Sequence, residues 1–292
     1  MKPVLNFLGE EGPETRPDRS FFHVIPVPME TSVSYGPGTA AGPGAILEAS
    51  QQLEAWDGES VPMDRGIHTT PAVGCSGSTE EILSRVESRV SRSLSMGAVP
   101  VLLGGEHTVT LGALRALKAR EDQDFGIVQF DAHADLRETY QGDRFSHACV
   151  MRRALDDLDL PLFQIGVRAL SYGEHELRRE RNIPGLGPGA VHRGEIPDPL
   201  LPPGFPKNIY ISFDVDGLDP SVIRATGTPV PGGIGWYDAL MLLEKSIFGR
   251  QVKGFDVVEL APVPGDHASD FAAARLVYAV MGLIRRKSRP LV

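Results

Sequence analysis

The chain has 292 residues, of which 41% are hydrophobic, enough core for one large α/β domain or two ordinary ones. A net charge of −9 weighs against nucleic acid or an anionic membrane as partner and mildly favours cationic ligands, although bulk charge only steers. Cys75 and Cys149, the two cysteines, supply neither a disulfide framework nor zinc-knuckle spacing. No apolar segment with a small-residue cleavage site opens the chain, and the apolar run at 276–284 is too short to cross a bilayer. The expectation is a soluble, cytoplasmic protein with reduced thiols.

Strands and helices alternate along the sequence. A first strand is expected over 22–27, then a Gly/Pro-rich turn, YGPGTAAGPG, and a helix from about residue 45. Ser78-x-x-Glu81 is a capping box opening a second helix, with Ile82, Val86, Val90 and Leu94 along one stripe. The continuous apolar run 99–103 fits a strand buried on both faces, and Leu111, Leu114 and Leu117 mark the next helix. Strands are expected at 126–130, 162–167, 209–213 and 255–260. Helices are expected after Ser146, at 236–248, and from Ser269, whose hydroxyl can cap the last one. Such alternation implies an α/β fold with a parallel sheet and helices on both faces. The Pro/Gly-rich stretch 184–206 is an excursion rather than a linker, so one domain is expected over 1–292. Its GLGPG at 185–189 follows no strand and opens no helix, and is therefore no dinucleotide fingerprint.

Three of these strands end in VLLGGEH, IVQFDAHAD and YISFDVDGLDP. They place His107, then Asp131, His133 and Asp135, then Asp214 and Asp216 at the carboxyl ends of strands, where open α/β sheets collect ligands. In extended chain, residues at i, i+2 and i+4 point to one side, so each group presents its side chains together. Taken singly, Gly-Gly-Glu-His reads as a turn with a helix cap, and D-x-D as a turn. Gathered carboxylates and imidazoles, however, repel and desolvate one another unless a cation compensates. Four carboxylates and two imidazoles without a thiolate suit two divalent cations, Mn²⁺ first, with Fe, Co, Ni or Zn open. Two such ions about 3.5–4 Å apart activate a shared water, and hydrolysis is the implied chemistry.

With these motifs in place, the chain resembles the ureohydrolase superfamily of arginases and agmatinases, from SYGPGTAAGPGAI to ELAPVPGDHASDF. GGEH stands where GGDH is common, a tolerated change since only His107 of the four would ligate metal. The resemblance implies a three-layer α/β/α sandwich with a mainly parallel sheet of about eight strands, two Mn²⁺ per chain, and assembly as a homotrimer or homohexamer. It also implies that Glu259 pairs with the substrate guanidinium, that Asp135 carries a proton toward the leaving amine, and that His147, in FSHACVMRR, shuttles it.

The segment after the ligand trio separates branches of that family. Arginases continue D-I-N and S-G-N-x-H-G to hold an amino acid. Here the chain reads DLRETY and then FSHA, which resembles agmatinases. Hydrolysis of agmatine to putrescine and urea is the first expectation. Aminopropyl-agmatine, guanidinobutyrate or arginine are alternatives, with Arg137 or Arg144 either meeting a substrate carboxylate or lying solvated. A single-zinc deacetylase and a non-catalytic relative are the rivals from other classes.

Overall fold

The structure is a computed structural model that describes residues 5–9, 15–120 and 124–287. Its strands are β1 (Phe22–Val27), β2 (Ile67–Thr69), β3 (Val99–Gly104), β4 (Phe125–Phe130), β5 (Leu162–Ile165), β6 (Gly185–Leu186), β7 (Asn208–Asp214) and β8 (Gln251–Val258). They form one eight-stranded sheet in the order β2-β1-β3-β8-β7-β4-β5-β6, and each neighbouring pair is parallel. Parallel neighbours need long crossovers. Among the described residues, seven helices lie in the connections, α1 (Gly42–Ser50), α2 (Thr79–Ser95), α3 (Val109–Lys118), α4 (Val150–Asp156), α5 (Tyr172–Glu180), α6 (Pro188–His192) and α7 (Trp236–Ile247), and α8 (His267–Lys287) follows the last strand.

Two cores sandwich the sheet, and the period-two geometry of a strand sorts its side chains between them. On β4, Val128 and Phe130 enter a core shared with α1, α7 and α8, while Phe125 and Ile127 enter one built with α2, α3 and α4. This is the expected three-layer sandwich. The capping box on α2 is present in both directions, a feature worth about 1 kcal/mol, and Ile82, Val86 and Val90 are buried beneath it. Among the described residues no helix is long and apolar enough to cross a membrane.

Element boundaries depart from expectation for local reasons. Helix α1 begins at Gly42 with Pro43 in its first turn, where a missing N–H costs nothing. Strand β8 stops at Val258 because Glu259 takes a left-handed φ of 66°. Helix α8 starts at His267, so Ser269 lies inside it and its hydroxyl donates to Asp266 instead of capping the helix. The 185–189 segment does hold structure: Gly185 and Leu186 pair with β5, and Pro188 opens α6. Pieces of two and five residues are too short for hydrophobic periodicity to reveal. Strand β2 and helix α5 were also unexpected, although the box Ser171-x-x-Glu174 marks the start of α5.

Candidate metal centre

The four adjacent strands at the middle of the sheet, β3, β8, β7 and β4, deliver every residue singled out above except His147. After β3 the chain turns through Gly104 and Gly105. A Cβ on Gly105 would fall 2.0 Å from the Met29 carbonyl oxygen, so only glycine lets this loop pass under residue 29 and return His107 over the sheet. A Cβ on Gly217 would lie 2.8 Å from the Asp131 amide nitrogen. That close approach seats the Asp214–Asp216 loop against the one after β4.

Two imidazole–carboxylate groups result. In one, the ligand atoms of His107, Asp131 and Asp214 lie within 4.8 Å of one another, and in the other those of Asp131, His133 and Asp216 do. Asp131 belongs to both. Nδ1 of His107 is 3.2 Å from Asp131 Oδ2, 2.9 Å from Asp135 Oδ2 and 3.6 Å from Asp214 Oδ2. Nδ1 of His133 is 2.9 Å from Asp216 Oδ2. Asp135 leaves the extended path with a φ of 53°, so convergence of the trio owes more to this turn than to a strict two-residue alternation. Left-handed backbone at Asp135 and Glu259 is strain of the kind that collects at functional sites.

The outer partners leave defined atoms free. His107 Nε2 lies 2.8 Å from Ser212 Oγ, and that hydroxyl donates to Asp256 Oδ1 at 2.9 Å. A hydroxyl has one hydrogen, so Ser212 accepts from Nε2–H and leaves Nδ1 as the ligating atom. Asp256 is wholly buried and also accepts from Thr110 Oγ1, Tyr210 Oη and the Phe213 amide. The carboxylate of Asp131 accepts from Gln129 Nε2 at 2.7 Å and from the His133 amide at 2.6 Å. Gln129 is in turn held by Gln164. Backbone amides of Ala132 and Asp216 bind Oδ1 of Asp216 and of Asp214, which turns the Oδ2 atoms inward. Ser212→Ala, which removes the partner of His107 Nε2, is expected to weaken cation binding by about 10–100-fold, the usual cost of losing a ligand histidine's outer partner. Competition with a chelator measures it.

Charge at the centre is only partly compensated from within. Burial, then repulsion from Asp135 and Asp216, pushes the Asp131 carboxyl up to about 7. Burial and the Asp216 and Asp131 charges push Asp214 well above its usual range. For His133 burial works downward, but Asp216 and the other carboxylates outweigh it and lift the imidazole to about 9. Arg168 is the nearby guanidinium, and its donors go to the main-chain carbonyls of Gly166, Asp216, Leu218 and Val230. Nδ1 of His107 is buried facing three carboxylates, without a well-aligned hydrogen bond to any of them. An imidazole nitrogen facing crowded acids fits divalent cations bound through oxygen and nitrogen, and the chemistry of the six residues fits a donor set for two.

A cavity of about 360 Å³ opens beside this centre, its lining including His133, Asp135, Asp214, Asp216, His147 and Glu259. Glu259 accepts the His107 amide at 2.6 Å, and burial holds its carboxyl up at about 8. Arg137 lines the cavity too, stacked 5.1 Å over the Tyr140 ring, whereas Arg144 pairs with Asp157 at the surface. Cys149 is fully buried and burial pushes its thiol up to about 12, as suits a packed rather than a reactive cysteine. Sequence reasoning missed Gln129, Gln164, Ser212 and Asp256. A buried acid in the middle of the apolar run FDVVEL is the one signal that pointed to them. It also set Glu106 aside as a tolerated variant. Here that side chain is wholly buried and bonded to Thr31 and Ser32.

Residues 21–282 match the family model described as "Arginase family". The N(1)-aminopropylagmatine ureohydrolase of Synechocystis sp. is 37% identical over 89% of this chain and 87% of its own length. The agmatinase of Pyrococcus horikoshii is 30% identical over 90% of this chain and 92% of its own. The agmatine ureohydrolase of Thermoplasma volcanium, a solved structure, superposes with a TM-score of 0.86 at 30% identity, covering 98% of this chain and 96% of that one. The eight-stranded parallel sheet, the acid-rich centre at its carboxyl edge and these likenesses agree: the chain belongs to the arginase family of hydrolases, enzymes that cleave guanidino C–N bonds.

Proposed function

We propose that the chain, as one catalytic domain over 1–292, hydrolyses the guanidinium of an agmatine-type amine, releasing urea and a polyamine. The observation that carries this reading is Asp131 shared between two imidazole–carboxylate groups, with Glu259 lining the cavity that His133, Asp214 and Asp216 also face. His107, Asp131, His133, Asp135, Asp214 and Asp216 would hold two divalent cations, Mn²⁺ by preference for oxygen-rich sets. Such a pair, when bound, supplies the Lewis acidity that activates water for attack.

The chain's own side chains do the rest. Glu259 receives the planar cation through charge-assisted hydrogen bonds and fixes its carbon for attack. Burial that holds the Glu259 carboxyl up in the free protein is offset when a guanidinium arrives beside it. Addition of water forms a C–O bond, and collapse of the tetrahedral adduct breaks the C–N bond to the alkyl chain. The leaving nitrogen must take a proton as it departs, because an amide anion is far too basic. Asp135 and His147 both line the cavity and are the proposed proton carriers.

Among substrates we place N(1)-aminopropylagmatine first and agmatine second, which reverses the order favoured by the motifs alone. Support comes from the relatives at 37% identity, named for the former, against those at 30–31% named for agmatine. Tyr35, 85% exposed on the cavity lining, offers an aromatic face to a longer cationic tail. Over a guanidine panel, kcat/KM for aminopropylagmatine is expected to exceed that for agmatine by about tenfold, or 1.4 kcal/mol, with arginine last. Fastest turnover of guanidinobutyrate would remove the proposal. Cytoplasmic location and assembly as a homotrimer or homohexamer belong to the same proposal and rest on the family resemblance.

A further inference from the structure

We infer that Ser32, anchored by the buried Glu106, is a positioning residue for His147. This rests on the reading of His147 as a proton carrier.

Glu106 sits between the β3 turn and the ligand His107, with 0% of its surface exposed. Its Oε2 accepts from the amides of Thr31 and Ser32, each at 2.7 Å, and its Oε1 from Thr31 Oγ1 at 2.9 Å. Bonds to a carboxylate are the strong kind, so the loop leaving β1 is pinned at residues 31–32. Glu30 pins the same loop farther on, its Oε2 accepting from Gly38 and Ala40 amides and from Thr39 Oγ1. Between the anchors, Val33, Ser34 and Tyr35 line the cavity.

The pinned Ser32 meets His147 twice. Ser32 Oγ accepts from the His147 amide at 3.0 Å and lies 3.2 Å from the ring Nδ1. The Tyr140 ring stands edge-on to the imidazole at 5.9 Å. One hydroxyl thus fixes both the backbone and one ring nitrogen, leaving Nε2 as the nitrogen available to exchange a proton. The contact serves both charge states of the ring. A hydroxyl has one hydrogen and two lone pairs, and one lone pair is used by the His147 amide. Toward a neutral ring carrying its proton on Nε2, Ser32 donates O–H to Nδ1. Toward the imidazolium it accepts Nδ1–H on the other lone pair. The ring can gain and lose its proton at Nε2 without losing its orientation. Glutamate in place of aspartate in the GGEH motif therefore has a task of its own: its carboxylate holds the loop that holds the shuttle.

The test uses the full-length, metal-loaded protein and whichever panel guanidine turns over fastest. Ser32→Ala is expected to lower kcat about tenfold with KM changed less than about twofold, and Ser32→Thr to restore it. In the zinc-loaded, diamagnetic protein with ¹⁵N-labelled histidine, the His147 Nδ1 resonance is expected to move in Ser32→Ala and to return in Ser32→Thr. An unchanged kcat and resonance in Ser32→Ala, while His147→Ala is strongly impaired, overturns the inference alone. So does a loss that threonine fails to restore and that tracks a fall in bound metal or melting temperature. Full activity in His147→Ala instead removes the proton-carrier reading, and this inference with it.

Discussion

Asp131→Ala is expected to reduce urea release by at least about a thousandfold, the scale of losing a preorganised charge-stabilising site, and to cut bound cations from two per chain to one or none. Asp131 is the residue common to both imidazole–carboxylate groups, so its removal damages two coordination spheres where Asp214→Ala or Asp216→Ala damages one. The Asp131→Asn variant separates loss of the cluster from loss of the fold. In the metal-free chain burial and neighbouring acids hold the Asp131 carboxyl at about 7, so its charge opposes folding at neutral pH. In the metal-free protein Asp131→Asn, which keeps an acceptor for Gln129 and the His133 amide, should melt no lower than the parent, whereas Asp131→Ala leaves both donors without a partner and should melt lower. Metal analysis, calorimetry and a urea assay decide it. Activity within tenfold of the parent would show that the cluster is not its source.

Glu259→Gln is expected to lower kcat/KM about a hundred- to a thousandfold, or about 3–4 kcal/mol, with bound metal unchanged. The amide keeps an acceptor for the His107 amide, now bonded at 2.6 Å, so the ligand loop stays in place. What disappears is the negative charge facing the guanidinium, and with it the charge-assisted pair that orients the reacting carbon. A KM that rises together with a falling kcat is the signature of a residue that both binds and aligns. Unaltered kinetics on every guanidine of the panel would remove Glu259 from the site.

The candidate site was legible where it depends on residue type at the end of a strand. D-x-H-x-D and D-x-D announce clustered ligands because unlike acids elsewhere they follow continuous apolar runs, and such runs end at the sheet edge where ligands bind. Partners that hold those ligands were not legible. Asp256 reaches Ser212 and Thr110 across 44 and 146 residues of chain, and Ser32 reaches His147 across 115. No spacing rule spans such separations. Short elements escaped for another reason: a two-residue β6 or a five-residue α6 spans fewer than two periods of its apolar pattern, too little for a repeat to show.

Alternation of apolar runs with amphipathic helices determined, without coordinates, that this chain builds a parallel sheet and which side chains crown its strands. Only the folded arrangement decided which of them meet. Strand β3 lies beside β8 and β7 beside β4 in the sheet, although neither pair is consecutive in the chain, and that order is set by how long crossovers pack their helices on the two faces. Through it Asp131 comes to stand between His107 and His133, and a glutamate beside one ligand comes to steady a histidine from a distant loop.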